Sequence, residues 1–289
     1  MNLSNDLINC VKERLGVQGI QAHDLNALQS LYRAWCLNIP FDNVRKMISL
    51  RTGSGAPLPG MDAGEFFENW LENGSGATCW PMSNAFYELS QSFGFNARRV
   101  AGSMRDMGFI NHGSVIVRID DHDWLSDVPL LFNTLLPLDG TVFIGNDPVY
   151  PVEVEPDIDS HLIWMLTPPG PSYFYCRLLN DAVSEDFYLQ NYEQSRDKGI
   201  FNQRLYARRN TPEKLIILFG NTRFSKTSEG VEVTPLTRDQ VCDSLKKEIG
   251  ISSKLIEEWV STGALEASFE PMAGSPPPPL ARKPPSQRA

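Results

Sequence analysis

The feature that most limits what this chain can fold into is a change of hydrophobic period near residue 97. Before it, apolar residues recur at three- and four-residue spacings, as along one face of a helix. "DLNALQSLYRAWCLNIPF" opens with Asp24 as an N-cap, sets Leu25, Leu28, Leu31 and Trp35 on one face, and stops at Pro40. "MDAGEFFENWLENGSG" predicts a second helix from Asp62 to Leu71, ended by its Asn-Gly-Ser-Gly turn. "PMSNAFYELSQSFGF" predicts a third, with Pro81 in its first turn and Gly94 at its stop. After the change, "ARRVAGSM", "SVIVRI" and "WLSDV" are short β-forming runs, the last two separated by the acidic turn "DDHD" at 120–123. Further strands are expected at "YFYCRLL" and "KLIILFG", and closing helices at "TRDQVCDSLKKEIGI" and "SKLIEEWVSTGAL". Helices first and antiparallel strands afterwards make an α+β fold. The terminal "SPPPPLARKPPSQRA" lacks the apolar content for a core and is expected to be disordered.

Charge and cysteine usage narrow the chemistry. A net charge of −9 argues against a phosphate-binding surface over the whole molecule, so no nucleic-acid partner is expected. The cluster Arg204, Arg208 and Arg209 suits a small anion, and is equally what a solvated face carries. Cysteines 10, 36, 79, 176 and 242 are scattered, odd in number and without a CxxC pair, so neither a zinc ribbon nor a disulfide scaffold is expected, and no metal. "MNLSNDLINCVKERL" lacks the basic-then-apolar order of a signal peptide. No apolar run approaches the ~18 residues of a membrane span, so a reducing, cytoplasmic setting without membrane contact is expected.

One cysteine stands out by position. Cys79 lies between the glycine-rich "GSGAT" and the start of the third helix. A thiol reacts as thiolate, which the positive end of a helix and a basic neighbour both favour. Of four histidines, His112 stands directly before the apolar run "SVIVRI", a rigid support for a general base. Asp127, at the end of "WLSD", is placed to hold the second imidazole nitrogen as the third member of a triad does. Taken singly, the three are also an ordinary small residue, a strand-edge histidine and a cap acid. A four-residue "DDHD" turn sets Asp127 opposite Ile116, on the same face as His112 but four positions away. A bulge or a different turn is then needed to bring them level.

The same residues resemble the arylamine N-acetyltransferase family. "LYRAWCLNIPFDN" (31–43) is similar to that family's Leu-His-Arg-Ala-His followed by Ile-Pro-Phe-Glu-Asn. "GSGATCW" falls where the family has Arg-Gly-Gly-aromatic-Cys-aromatic, and "SFGFNARRV" follows as its Leu-Gly-Phe segment does. "NHGSVIV" matches the strand bearing the catalytic histidine, "DWLSDV" matches Trp-Leu-Val-Asp-Val-Gly-Phe-Gly, and the His112-to-Asp127 interval is the family's. The likeness covers roughly residues 1–260 and is specific between 31 and 128. It implies a helical domain carrying the nucleophile (1–95), a β-barrel-like domain carrying histidine and aspartate (96–195), a C-terminal α/β lid (196–272) and the Pro-rich tail (273–289). It implies Cys79 as acyl-accepting nucleophile, His112 as base and Asp127 as its orienting acid, with the Cys79 N–H as an oxyanion donor. Ping-pong transfer from acetyl-CoA or another acyl thioester to a small-molecule amine follows, with no permanently bound cofactor. The implied pocket residues are Phe41, Trp80, Phe109, Pro129 and Leu130.

The departures surround the triad. Ala77 and Thr78 replace the glycine and aromatic before the cysteine, Trp80-Pro81 follows it, and Gly113 replaces a larger residue after the histidine. "DVPLLFN" replaces Asp-Val-Gly-Phe-Gly, with Pro129 and Leu131 in the glycine places. Such changes fit an amide synthase, which takes its acyl chain from a carrier-protein thioester in natural-product biosynthesis. A thiol hydrolase with the same triad and a non-catalytic binding protein are the other readings.

Overall fold

The computed structural model describes residues 3–53, 55–199, 201–271, 280 and 282–288. Its helices begin where the sequence supplies caps. After α1 (Asn5–Leu15), α2 (Leu25–Asn38) starts at Asp24, whose carboxylate accepts from Ala27 N at 2.8 Å. The short strand β1 (Phe41–Asp42) leads into α3 (Val44–Thr52). α4 (Ala63–Asn73) is capped by Asp62 and closed by Gly74 at φ +69°. α5 (Cys79–Ser92) is buried along almost its whole length, and its polar residues reach neighbouring carbonyls, Ser83 at Gly113 and Asn84 at Met61. Trp35 of α2 joins the helices, stacked on Phe66 of α4 and edge-on to Phe86 of α5. Burial of each such ring contributes about 1.5–3 kcal/mol.

The expected change of period is real. Strands β2 (Asn96–Met104), β3 (His112–Ile119), β4 (His122–Leu125), β5 (Leu136–Pro137), β6 (Phe143–Ile144), β7 (Val152–Asp157), β8 (Ser160–Met165) and β9 (Phe174–Leu179) follow. They form an antiparallel, barrel-like sheet ordered β5-β4-β3-β2-β9-β8-β7-β6 around Val100, Ile116, Leu125, Val154, Ile163 and Leu178. The fold is α+β. α6 (Glu185–Lys198) then crosses back over α5. Strands β10 (Tyr206–Asn210), β11 (Leu215–Phe219), β12 (Thr222–Thr227) and β13 (Gly230–Pro235) make a second sheet, backed by α7 (Arg238–Ser244), α8 (Ser253–Ser261) and α9 (Ala264–Ala267).

Two features tie the layers together. Residues 41–52 do not pack with the N-terminal helices alone: β1 is the edge strand beside β10, and Val44, Met47 and Ile48 share a core with Leu218, Val241 and Trp259. The chain makes that excursion because Asp42 and Asn43 need buried partners, and Asn43 exchanges hydrogen bonds with Arg204 and Tyr206. Part of the tail expected to be disordered makes contacts with the barrel; its residues 273–279, 281 and 289 lie outside the described residues. Glu153 and Glu155, on the outer face of β7, are 2% and 7% exposed and demand counter-charges. Arg282 and Arg288 bind Glu155, and Ser286 donates to Glu153 through both N–H and hydroxyl.

Candidate active site

The approach to Cys79 is fixed by the acid of the "IPFDN" stretch. Buried Asp42 accepts from Ser75 Oγ at 2.9 Å, from Gly76 N at 2.7 Å and from Val44 N at 3.1 Å. Asp42 N in turn donates to Ala77 O at 3.1 Å, so β1 and the glycine turn run side by side. Gly76 has no alternative, because a Cβ there would strike the Pro40 carbonyl. Two residues later Thr78 takes the N-cap position and Cys79 opens α5. First-turn amides of a helix lack intrahelical acceptors and carry the positive end of its dipole.

His112 is the first residue of β3 and is 3% exposed. Its Nε2 is 2.9 Å from Asp127 Oδ2, which leaves Nδ1 as the ring nitrogen not taken by the acid, and Cys79 is near enough to act on the ring's charge. Cys79 Sγ also lies 3.8 Å from the Asn111 carbonyl. Burial pushes the imidazole down, but the charge and hydrogen bond of Asp127, helped by Cys79, outweigh it and raise His112 well above the usual range. Imidazolium is therefore the favoured form of the ring. Among the described residues the remaining histidines lie elsewhere: His161, for example, is tied to Asn180 at 2.8 Å.

The turn between β3 and β4 settles the register. Only Asp120 and Asp121 form it, both left-handed at φ +47° and +64°, and Ile119 pairs with His122. Leu125, not Asp127, lies opposite Ile116. Ser126 N reaches Val115 O, which brings Asp127 two positions closer to His112 than a four-residue turn would. Asp127 is then held by both ends: Oδ1 accepts from Leu130 N at 3.1 Å, and its carbonyl accepts from Tyr32 Oη at 2.9 Å. Tyr32 belongs to α2, so the helical layer holds Asp127, which in turn meets His112.

The N-acetyltransferase family model matches residues 24–257, which span this whole arrangement. The chain belongs to the arylamine N-acetyltransferase family. It is accordingly an acyltransferase. Solved structures agree on the fold. A single-substitution variant of Mycobacterium smegmatis N-arylamine acetyltransferase superposes with a TM-score of 0.77 at 16% identity, covering 90% of this chain and 97% of that one. The arylamine N-acetyltransferase of M. tuberculosis gives 0.76 at 18%, covering 90% and 98%. That of Mycobacterium marinum in complex with CoA gives 0.76 at 16%, covering 90% and 97%. No curated protein sequence matches the chain.

The residues expected to line this acyltransferase's pocket divide. Phe41 is beside the site, edge-on to Phe201 at 5.1 Å and to Tyr206 at 5.5 Å. Trp80 is a packing residue instead: it is 2% exposed and lies against Tyr188 at 4.9 Å and over Gly113. That contact also accounts for Gly113, where an added Cβ would sit 2.6 Å from the indole. Leu130 is turned into the barrel core with Leu125 and Phe132, because the chain coils back onto Asp127. Pro129 is buried in the same coil, and Phe109 is 51% exposed on the β2–β3 connection. Asp42 and Tyr32, which hold the turn before Cys79 and the Asp127 backbone, are contacts that sequence reasoning missed. An acid inside an otherwise apolar stretch was the signal for Asp42; Tyr32 had none.

Proposed function

We propose that this acyltransferase works by ping-pong through an acyl-Cys79 intermediate, with His112 as proton carrier and Asp127 as its orienting acid. The observation that carries the reading is the chain of contacts from a helix-start thiol through a buried imidazole to a carboxylate at 2.9 Å. The Cys79 thiolate attacks the carbonyl of an acyl thioester. The bond from carbonyl carbon to donor sulfur breaks, and the departing thiol takes the proton from imidazolium. An amine then attacks acyl-Cys79, gives its proton to His112, and Cys79 leaves as thiolate. Developing oxyanion charge in both halves falls at the N-terminus of α5, where the Cys79 N–H is the proposed donor. Phe41, with Phe201 and Tyr206, offers aromatic faces on which an arylamine ring would rest. Five free cysteines suit a reducing cytoplasm.

A second reading of the donor is favoured by one observation. The carbonyl of Leu131, in the segment that departs from the family pattern, already accepts from Asn210 at 2.5 Å and Arg208 at 3.3 Å. A segment so occupied supports a donor held elsewhere, such as a carrier-protein thioester delivering its chain as to an amide synthase. Steady-state rates with acetyl-CoA and an arylamine should give parallel double-reciprocal lines. The same assay with acyl-pantetheine donors compares the carrier route, and amine-independent release of free acid from every donor would point to a hydrolase instead.

A further inference from the structure

α3 carries a lysine on its buried flank. Val44, Met47 and Ile48 are buried beside it, and Lys46 itself is 4% exposed. Removing an ammonium from water is costly unless a counter-charge meets it. The hydrogen-bond partners of Lys46 among the described residues are neutral: Nζ donates to Ser195 Oγ at 2.7 Å and to the Ser195 carbonyl at 3.4 Å. It also lies 5.6 Å from the centre of the Tyr192 ring. Glu193, the neighbouring acid on α6, is engaged with Arg196 at 2.8 Å and with the Leu58 N–H.

α6 links this cation to the nucleophile. Tyr188 packs on Trp80, the residue after Cys79. One turn on, the Tyr192 hydroxyl donates to Pro59 O at 2.9 Å and contacts the Thr78 side chain, the N-cap of α5. A further turn brings Ser195, which holds Lys46. The fold thus keeps a neutral-lined ammonium behind the start of the helix that bears the thiol.

We propose that Lys46 is a positioning residue for the nucleophile, whose ammonium stabilises the Cys79 thiolate through space without touching substrate. This rests on the reading of Cys79 as nucleophile, and is independent of which acyl group it carries. The electrostatics agree. Burial pushes Lys46 down to about 8, and the charge of Cys79 acts against that, ahead of the opposing effects of Arg196 and Glu193. Among the described residues, His112 on β3, Tyr188 and Tyr192 on α6, and Cys176 on β9 also sense Cys79.

The test is the pH dependence of iodoacetamide alkylation at Cys79, followed by peptide mass in full-length wild type, K46M, K46Q and K46R, each with its melting temperature. In K46M and K46Q the inflection should rise by about one pH unit, so that alkylation near pH 6 slows about tenfold. K46R keeps the charge and should stay within about twofold of wild type. An unmoved inflection in folded K46M or K46Q, whatever its melting temperature, overturns the proposal. So does an equal shift in K46R, which would mean that shape rather than charge matters. The expected shift in a protein that transfers no acyl group would support Lys46 and count against the acyltransferase mechanism instead.

Discussion

At the scale of single residues, the site depends on groups that hold other groups. Asp127 favours the imidazolium of His112, so the charged ring persists through neutral pH and is lost as pH rises through its raised value. Asp127→Asn removes that support: kcat/KM should fall on the order of 10³-fold, and rapid alkylation of Cys79 below pH 7 should disappear. Cys36 and Cys176 do not compete for the label, because burial pushes Cys36 up to about 12 and Cys176 well above its ordinary range, and peptide mass separates exposed Cys10 and half-buried Cys242. Alkylation of the Asp127→Asn protein at the wild-type rate near pH 6 would remove Asp127 from the mechanism. Gly113 offers a stability test. Its Cβ would meet Trp80 at 2.6 Å and Tyr188 at 3.1 Å, so Gly113→Ala should cost about 1–3 kcal/mol in urea unfolding. Trimming the indole with Trp80→Leu in the same protein should return part of that loss. A neutral Gly113→Ala would show that the ring is free to move.

Among the elements, legibility followed how plainly each one shows its period and its ends. α2, α4 and α5 were readable because Asp24, Asp62 and Pro81 mark their starts and glycines or Pro40 mark their stops. The β3–β4 hairpin was readable as strands but not in register, since "DDHD" does not reveal that two aspartates alone adopt the left-handed turn. α3 hid its apolar face behind buried Lys46, and α6 buries only Tyr188 and Tyr192 among its described side chains, leaving those two to carry the pattern. The alternation in "VEVE" is only four residues long, so the face that receives the tail went unnoticed. That docking is testable. Burial pushes Glu155 up, yet hydrogen bonds from Arg288, Arg282 and Trp164 prevail and hold it near about 2. A depressed carboxylate stabilises above its unfolded value, roughly 4.3 for a glutamate, and ceases to do so as pH falls through the depressed one. Deleting residues 280–289 should therefore lower stability by about 1–2 kcal/mol at pH 7. The gap between full-length and truncated urea midpoints should narrow progressively below pH 4. Equal midpoints at pH 7 would mean that the clasp carries no net stability.

Across the whole molecule, the groups proposed to react come from separate layers that are tied before they meet. α5 brings the thiol and β3 the imidazole, and the coil after β4 brings the carboxylate, braced from α2 by Tyr32. β1 stitches the N-terminal third to the C-terminal sheet and, through Asp42, sets the turn that delivers Cys79. That Cys79, His112 and Asp127 fall near one another was legible from the helix start, the strand start and the strand end that carry them. The pocket was not, because Trp80 and Leu130 serve packing that only the folded chain reveals. The direct test of the acyl-enzyme mechanism is the intact mass of the protein after brief mixing with acyl-CoA and acyl-pantetheine donors, without amine. A single acyl adduct on Cys79, absent from Cys79→Ala and discharged when an arylamine is added, is the predicted result. No adduct from any donor, or an adduct of equal yield in Cys79→Ala, would contradict it.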